Sequence, residues 1–296
     1  MKSRTKRIFK GIGLTLVAYV LSVLLLFHFN ILWSSPPYYY PENYTDLEIP
    51  IMSMQDYDEI INSHRRPYYF SVNSSSGAAH IIGVNHTNNP SHPHLDSIIT
   101  KWGFAQPSVA LVESRLGFLF TWTQDPIKKY GERGLTAKLA KSDGIPLYTW
   151  EPDRENEINF LLEKYSGKDL ALFYVLRPYF SYSITYRENN GDALFNRLIA
   201  ERTDYSGLRN QLRSSQEVIN TLEKDYPTFD WATHISSKGW PEGYLMDIWN
   251  DSNLFRDRHM IQLIIELVEQ GETVFVTMGA SHAPRIEKTL IYELLN

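Results

Sequence analysis

The sequence predicts a mixed α/β fold, and three features of its 296 residues carry the expectation. Short apolar runs rich in β-branched residues read as buried strands, and segments with apolar residues three and four apart read as helices between them. One design also occurs twice, an apolar strand running into Gly-x-x-His, at Gly83 to His86 and at Gly279 to His282. A basic tail and a long uncharged run stand ahead of this domain, and a mainly helical stretch, 154–250, is inserted within it.

Residues 1–10 contain Lys2, Arg4, Lys6, Arg7 and Lys10 before any acid. Residues 11–33 hold no formally charged side chain. At 1.5 Å per residue they would cover about 34 Å, enough for a bilayer's hydrocarbon core. The basic flank belongs on the cytoplasmic side, and Tyr38, Tyr39 and Tyr40 suit the opposite interface. The expectation is therefore a single-pass signal anchor, with its transmembrane helix at 11–33, its N-terminus cytoplasmic and its main domain extracytoplasmic. A cleaved signal peptide is the rival, but its apolar core runs to about 7–15 residues, and 30–40 offers no Ala-x-Ala site. Residues 34–50, with four prolines, read as a linker to a domain over 51–296.

Within that domain Asp56 to Ile61 reads as a short helix. Pro67 to Val72 and Ala78 to Gly83 read as two strands of a hairpin, joined by the turn Asn73 to Gly77. A polar loop with His86, His92 and His94 leads to a helix, Leu95 to Trp102. Ser108 to Val112 is a buried strand ending at Glu113; Leu135 to Lys141 is a helix, and Ile145 to Trp150 a strand ending at Glu151. Residues 154–230 are helical in pattern, interrupted at Pro178 and at Asn189-Asn190-Gly191, and 232–252 are aromatic and turn-rich. Leu254 to Glu269 has a broad apolar helical face, which Gly271 terminates. The strand Thr273 to Met278, the loop Gly279 to His282 and a helix from Arg285 to Leu295 complete the chain.

The net charge of −5 conceals an asymmetry: after Lys10 there remain 24 basic against 34 acidic residues. A domain of that sign lacks the Lys and Arg surplus that phosphate neutralisation needs, so nucleic acid is excluded as partner. Without cysteine there is no disulfide framework and no thiolate site. The sequence has no His-Glu-x-x-His, Gly-x-Ser-x-Gly, phosphate loop or dinucleotide fingerprint.

Chemistry is expected at the strand ends. Glycine permits a sharp turn or close approach, and the histidine three residues on projects from the strand end, the edge where open α/β sheets bind ligands. His86 and His282 with Glu113 are candidate ligands of a divalent metal ion (manganese, cobalt or zinc), leaving one position for water. Glu113 and Glu151 each directly follow an apolar strand, so either is a candidate general base. Arg256, read as opening the last long helix, is a candidate for holding a developing oxyanion. Glycosylation sequons occur at Asn43, Asn73 and Asn85, among others, and a glycan on Asn85 would conflict with a site at His86.

Gly83-x-x-His86 after a strand, Glu113 ending the next, Arg256-Asp257-x-x-Met260 on a helix and Gly279-Ala280-x-His282 resemble the TraB, GumN and Tiki group of the erythromycin-esterase-like and ChaN-like superfamily. The resemblance spans 67–295 and is confined to these patches. It implies a mixed α/β fold with a central mixed sheet, flanking helices and two related halves, each presenting one Gly-x-x-His to a shared cleft. It further implies that His86 and His282 pair, that Glu113 is the site carboxylate and that Arg256 binds substrate or transition state. The expected function is a membrane-anchored hydrolase of the metalloprotease or esterase type, acting on a peptide or small ester with metal-activated water. A metal-free hydrolase using histidine and glutamate, and a non-catalytic membrane-tethered signalling module, are the alternatives.

Overall fold

The computed structural model of the chain describes residues 2–42 and 44–296, the side chains of 2–14 and of 237 excepted. In chain order the elements are α1 (Lys2–His28), β1 (Leu32–Trp33), α2 (Met54–Ile60), β2 (Tyr68–Asn73), β3 (Ala78–Val84), α3 (Pro93–Ala105), β4 (Val109–Val112) and β5 (Leu119–Phe120). They continue with α4 (Pro126–Asp143), β6 (Leu147–Thr149), α5 (Arg154–Leu162), α6 (Gly167–Tyr179), α7 (Ile184–Arg202), α8 (Ser215–Asp225), α9 (Tyr244–Glu269), β7 (Thr273–Gly279) and α10 (His282–Leu295). The chain forms two units, one of residues 1–151 with 259–296 and one of 152–258.

The first unit is built on a five-stranded mixed sheet of order β2-β3-β7-β4-β6. Only β2 runs antiparallel, paired with β3; the other four strands are mutually parallel. Val109, Leu111, Val274 and Val276 turn one way, onto Met260, Ile264 and Val268 of α9 and Ile286 of α10. The alternate residues Ile82, Ala110 and Phe275 turn the other way, onto Leu95, Ile98 and Trp102 of α3 and Leu135 and Ala140 of α4. A sheet buried on both faces explains why these strands are continuously apolar. The predicted mixed α/β fold with a central mixed sheet and flanking helices is thus present.

The second unit is helical and has its own core, including Leu170, Phe173, Leu176, Phe195, Leu198, Leu222 and Ile248. It contains the predicted insertion, 154–250, with wider bounds. The expected break at Asn189-Asn190-Gly191 lies inside α7, because burial of Leu194, Phe195 and Leu198 outweighs weak local propensity. Pro178 falls in the last turn of α6, where the helix ends.

The N-terminal expectations need correction. Helix α1 stops at His28, so 29–33 of the expected span are not helical; Leu32–Trp33 pairs antiparallel with Leu119–Phe120, and Trp33 is buried. Among the described residues no helix is long and apolar enough to cross a membrane. The side chains of the basic tail and of residues 11–14 lie outside the described residues. Residues 34–50 are not a free linker. Thr149 N donates to Pro37 O at 3.0 Å, Tyr38 bridges to Thr149, and Tyr39 Oη donates to Glu266 at 2.7 Å. Tyr38 also lies beneath the Arg115 guanidinium, so Tyr38 and Tyr39 belong to the domain, not to an interfacial aromatic belt.

Candidate active site

Parallel pairing brings the two Gly-x-x-His segments to one edge of the sheet. Gly83 of β3 stands opposite Met278 of β7, and Val84 opposite Gly279, so the motifs sit side by side one residue out of step. Val112 of β4 stands opposite Thr277, which brings Glu113 to the same edge. Neither motif glycine has positive φ; both serve close approach. A Cβ on Gly83 would lie 2.8 Å from Ala283 Cβ. One on Gly279 would lie 3.1 Å from His86 Nε2 and 3.4 Å from Glu113 Oε2.

Glu113 is largely buried, and its Oε2 accepts the Gly279 amide at 2.8 Å. The next residue, Ser114, has φ +61°, a conformation uncommon outside glycine, which turns the chain away directly after the carboxylate. His86 Nε2 lies 3.8 Å from the same Glu113 oxygen, and its side chain is 59% exposed. That separation is too long for a hydrogen bond and suited to a water bridging the two atoms.

The other face of the imidazole is held by a residue the sequence reading missed. Glu132, 2% exposed, accepts from His86 Nδ1 at 2.6 Å through Oε1 and from Thr87 N at 3.3 Å through Oε2. Its placement depends on a break in α4 at Gly131, with φ +62° and ψ −139°. A Cβ there would fall 2.5 Å from Thr87 O, so only glycine lets α4 come this close to the His86 loop. Thr136 fixes the helix to the sheet, donating to Glu132 O or sharing its proton with Thr277 Oγ1, each at 3.1 Å. The available signal was Gly131-Glu132-Arg133-Gly134, two charges between glycines.

These contacts set the imidazole's chemistry. The hydrogen bond to Glu132 raises the His86 pKa above its ordinary 6.5; desolvation opposes this, and the Glu113 charge adds to it. Burial works to raise Glu132, but the hydrogen bond and charge of His86 prevail and its pKa is lowered. With Nδ1 donating to a carboxylate, neutral His86 presents its lone pair at Nε2, toward Glu113.

The remaining predicted residues are placed differently. His282 opens α10, buried, its ring edge-on to Trp150 at 5.3 Å, and Trp150 Nε1 donates to Thr277 O at 3.0 Å. Glu151 follows β6, half-buried, with its amide donating to Thr149 Oγ1; the ion-pair contacts of His86 run to Glu113 and Glu132. Arg256 belongs to the second unit and is buried inside α9, which begins about three turns earlier at Tyr244. The helix-start setting that suggested an anion ligand is therefore not the setting it occupies. Asn73 and Asn85 are exposed, whereas Asn43 lies outside the described residues.

Among the described residues no group of three or more His, Asp or Glu side chains is arranged to hold a metal ion. His86 Nε2 and Glu113 Oε2 supply two donors, short of the three protein ligands of a catalytic zinc. No protein-family model, curated protein or solved structure matches the chain.

Proposed function

We propose that the chain is a hydrolase that activates water on a peptide or ester bond with His86 as general base. The observation that carries this reading is one exposed imidazole between two carboxylates, with Nδ1 2.6 Å from buried Glu132 and Nε2 3.8 Å from Glu113. Water bound between His86 Nε2 and Glu113 gives its proton to Nε2 as its oxygen attacks the carbonyl carbon. Glu132 stabilises the imidazolium that forms, and Glu113, anchored on the Gly279 amide, orients the water. His86 then returns the proton to the leaving amine or alkoxide.

A metal-assisted version has one observation in its favour: a carboxylate on the far nitrogen is the usual support of a metal-ligating imidazole. There His86 and Glu113 would hold the ion, which would supply a more acidic water. The test uses the full chain in detergent or bilayers, panels of esters and peptides, His86→Ala, Glu113→Gln and Glu132→Gln, with chelator or added manganese, cobalt or zinc. We expect hydrolysis that resists chelator and falls in all three variants. Chelator-sensitive activity with stoichiometric metal selects the metal version, and undiminished turnover by His86→Ala overturns both.

We further propose that α1 anchors the chain, N-terminus cytoplasmic and main domain extracytoplasmic. Leu16, Val17, Val20, Leu21, Leu24 and Leu25 are 47–62% exposed along one helix, behind the five basic residues of the tail. Protease protection of the chain in sealed vesicles tests the orientation; an accessible domain on the side of the N-terminus would refute it.

A further inference from the structure

We infer that the two-stranded ribbon of β1 and β5 is a membrane-docking element that seats the domain on the bilayer interface and turns the His86 site toward substrates held at the membrane surface. The inference rests on the anchor reading of α1 and on the water-activating reading of His86.

The sequence between Lys10 and Phe29 is uncharged, and its helical part, 11–28, covers about 27 Å, slightly less than a hydrocarbon core of about 30 Å. A short span draws its flanking residues into the interface. Immediately after it the chain pairs with β5, in the register Leu32 with Phe120 and Trp33 with Leu119. The pairing continues past the strands, since Thr121 N donates to Ile31 O at 2.8 Å and Thr121 Oγ1 reaches Asn30 O at 3.3 Å. Trp122 is thereby tied to the level of the helix end.

Three aromatic side chains here are open to solvent, Phe29 at 65%, Phe118 at 68% and Trp122 at 71%. Lys128 and Lys129 are exposed beside them, and Lys129 Nζ donates to Phe118 O at 2.8 Å. Exposed Trp and Phe with neighbouring lysines, at the mouth of an apolar helix, match an interface of acyl chains and anionic headgroups. The bilayer that holds α1 is thus the occupant of this surface.

The ribbon is also coupled to the site. Phe118 follows Glu113 by five positions, at most about 18 Å of chain. Tyr130 Oη donates to Phe118 O at 3.1 Å, and two residues later on α4 Glu132 holds His86. One short segment of α4 therefore grips the docking loop at one end and the general base at the other.

The chain has no cysteine, so single cysteines introduced by Phe118→Cys, Trp122→Cys and Phe104→Cys can each carry an environment-sensitive fluorophore on the full chain in vesicles of neutral and anionic phospholipid. Phe104, 74% exposed near the end of α3, lies toward the opposite edge of the sheet and serves as control. We expect blue-shifted emission and quenching by lipid-borne nitroxides at 118 and 122 and neither at 104. Aqueous spectra at all three positions in a chain that still floats with the vesicles overturn the docking inference and leave the anchor intact. Quenching at all three overturns it as well, and failure to float removes the anchor reading itself. For the substrate class, Trp122→Ser should lower turnover of a lipid-tethered ester at least about tenfold through lost local concentration, with a soluble ester unaffected. Equal loss on both substrates would overturn the link to the membrane surface, whereas no turnover of either by the unmodified chain would indict the hydrolase reading.

Discussion

Replacing Gly279 by alanine tests the proposed water site at its narrowest point. The added methyl would lie 3.1 Å from His86 Nε2 and 3.4 Å from Glu113 Oε2, between the atoms assigned to bind the water. The first contact is about 0.4 Å closer than the roughly 3.5 Å at which such atoms rest. Backbone strain adds nothing, because Gly279 lacks positive φ and ends a regular strand. The ring must swing outward, which stretches its 2.6 Å bond to Glu132, or the strand end must move and weaken the 2.8 Å bond from its own amide to Glu113. Either response removes the oriented base, worth about 10²–10⁴ in rate. The fold should lose only the cost of local overpacking, about 1–3 kcal/mol. Purified Gly279→Ala should therefore unfold cooperatively a few degrees early while kcat falls at least about a hundredfold. A variant with unchanged kcat would show that the reacting water does not lie between His86 and Glu113.

Activity should rise with pH through the His86 titration, because the base is the neutral imidazole. Glu132→Gln removes the leading influence that raises its pKa, so the rising limb should move to lower pH as kcat falls; a stationary limb would dissociate Glu132 from the base. The same variant gives a stability signature. The raised His86 value contributes fully below 6.5 and is lost as pH rises through the folded pKa, whereas the lowered Glu132 value contributes above 4.5 and is lost as pH falls through its folded pKa. Denaturant titrations should accordingly find the Glu132→Gln deficit largest between these limits and smaller in alkali. Gly131→Ala combines positive φ with a 2.5 Å clash on Thr87 O, so it should cost about 1–3 kcal/mol and impair turnover, and native stability with native turnover would contradict the assigned kink. Phe173→Ala empties a fully buried position in the helical unit and should cost about 3–5 kcal/mol by chemical denaturation; a shift below 1 kcal/mol would deny it a core role.

The legible parts of this molecule are those in which one local pattern determines the outcome. The sequences Ala78 to Gly83, Ser108 to Val112 and Thr273 to Met278 read as strands because their β-branched runs are buried on both sheet faces, and each lies within a residue or so of its element. His86 and Glu113 were visible as polar residues at strand ends. Glu132 was not, since its position depends on Gly131 closing against Thr87, a contact between segments remote in sequence. The start of α9 escaped notice for a similar reason: Leu245 and Ile248 are buried in a core that forms only when α5 to α8 assemble around a stretch that looks turn-rich. At the N-terminus hydropathy alone could not distinguish Ile31 to Trp33 from the helix before it. The difference comes from the strand partner at Leu119–Phe120.

The duplicated Gly-x-x-His design places two histidines at one sheet edge, yet their surroundings give them different physical roles. His86 leaves β3 into a loop, keeps an exposed ring, and has a buried carboxylate on one nitrogen and a second carboxylate facing the other. His282 begins a helix, is buried, and packs edge-on against an indole that itself donates to the central strand. An imidazole that must accept and return a proton needs solvent access and a fixed tautomer, and His86 has both. His282, with its ring packed against Trp150, ties the start of α10 to the end of β6. The repeat therefore accounts for the symmetry of the backbone, whereas the asymmetry of the chemistry comes from α4, which delivers Glu132 to only one of the two motifs.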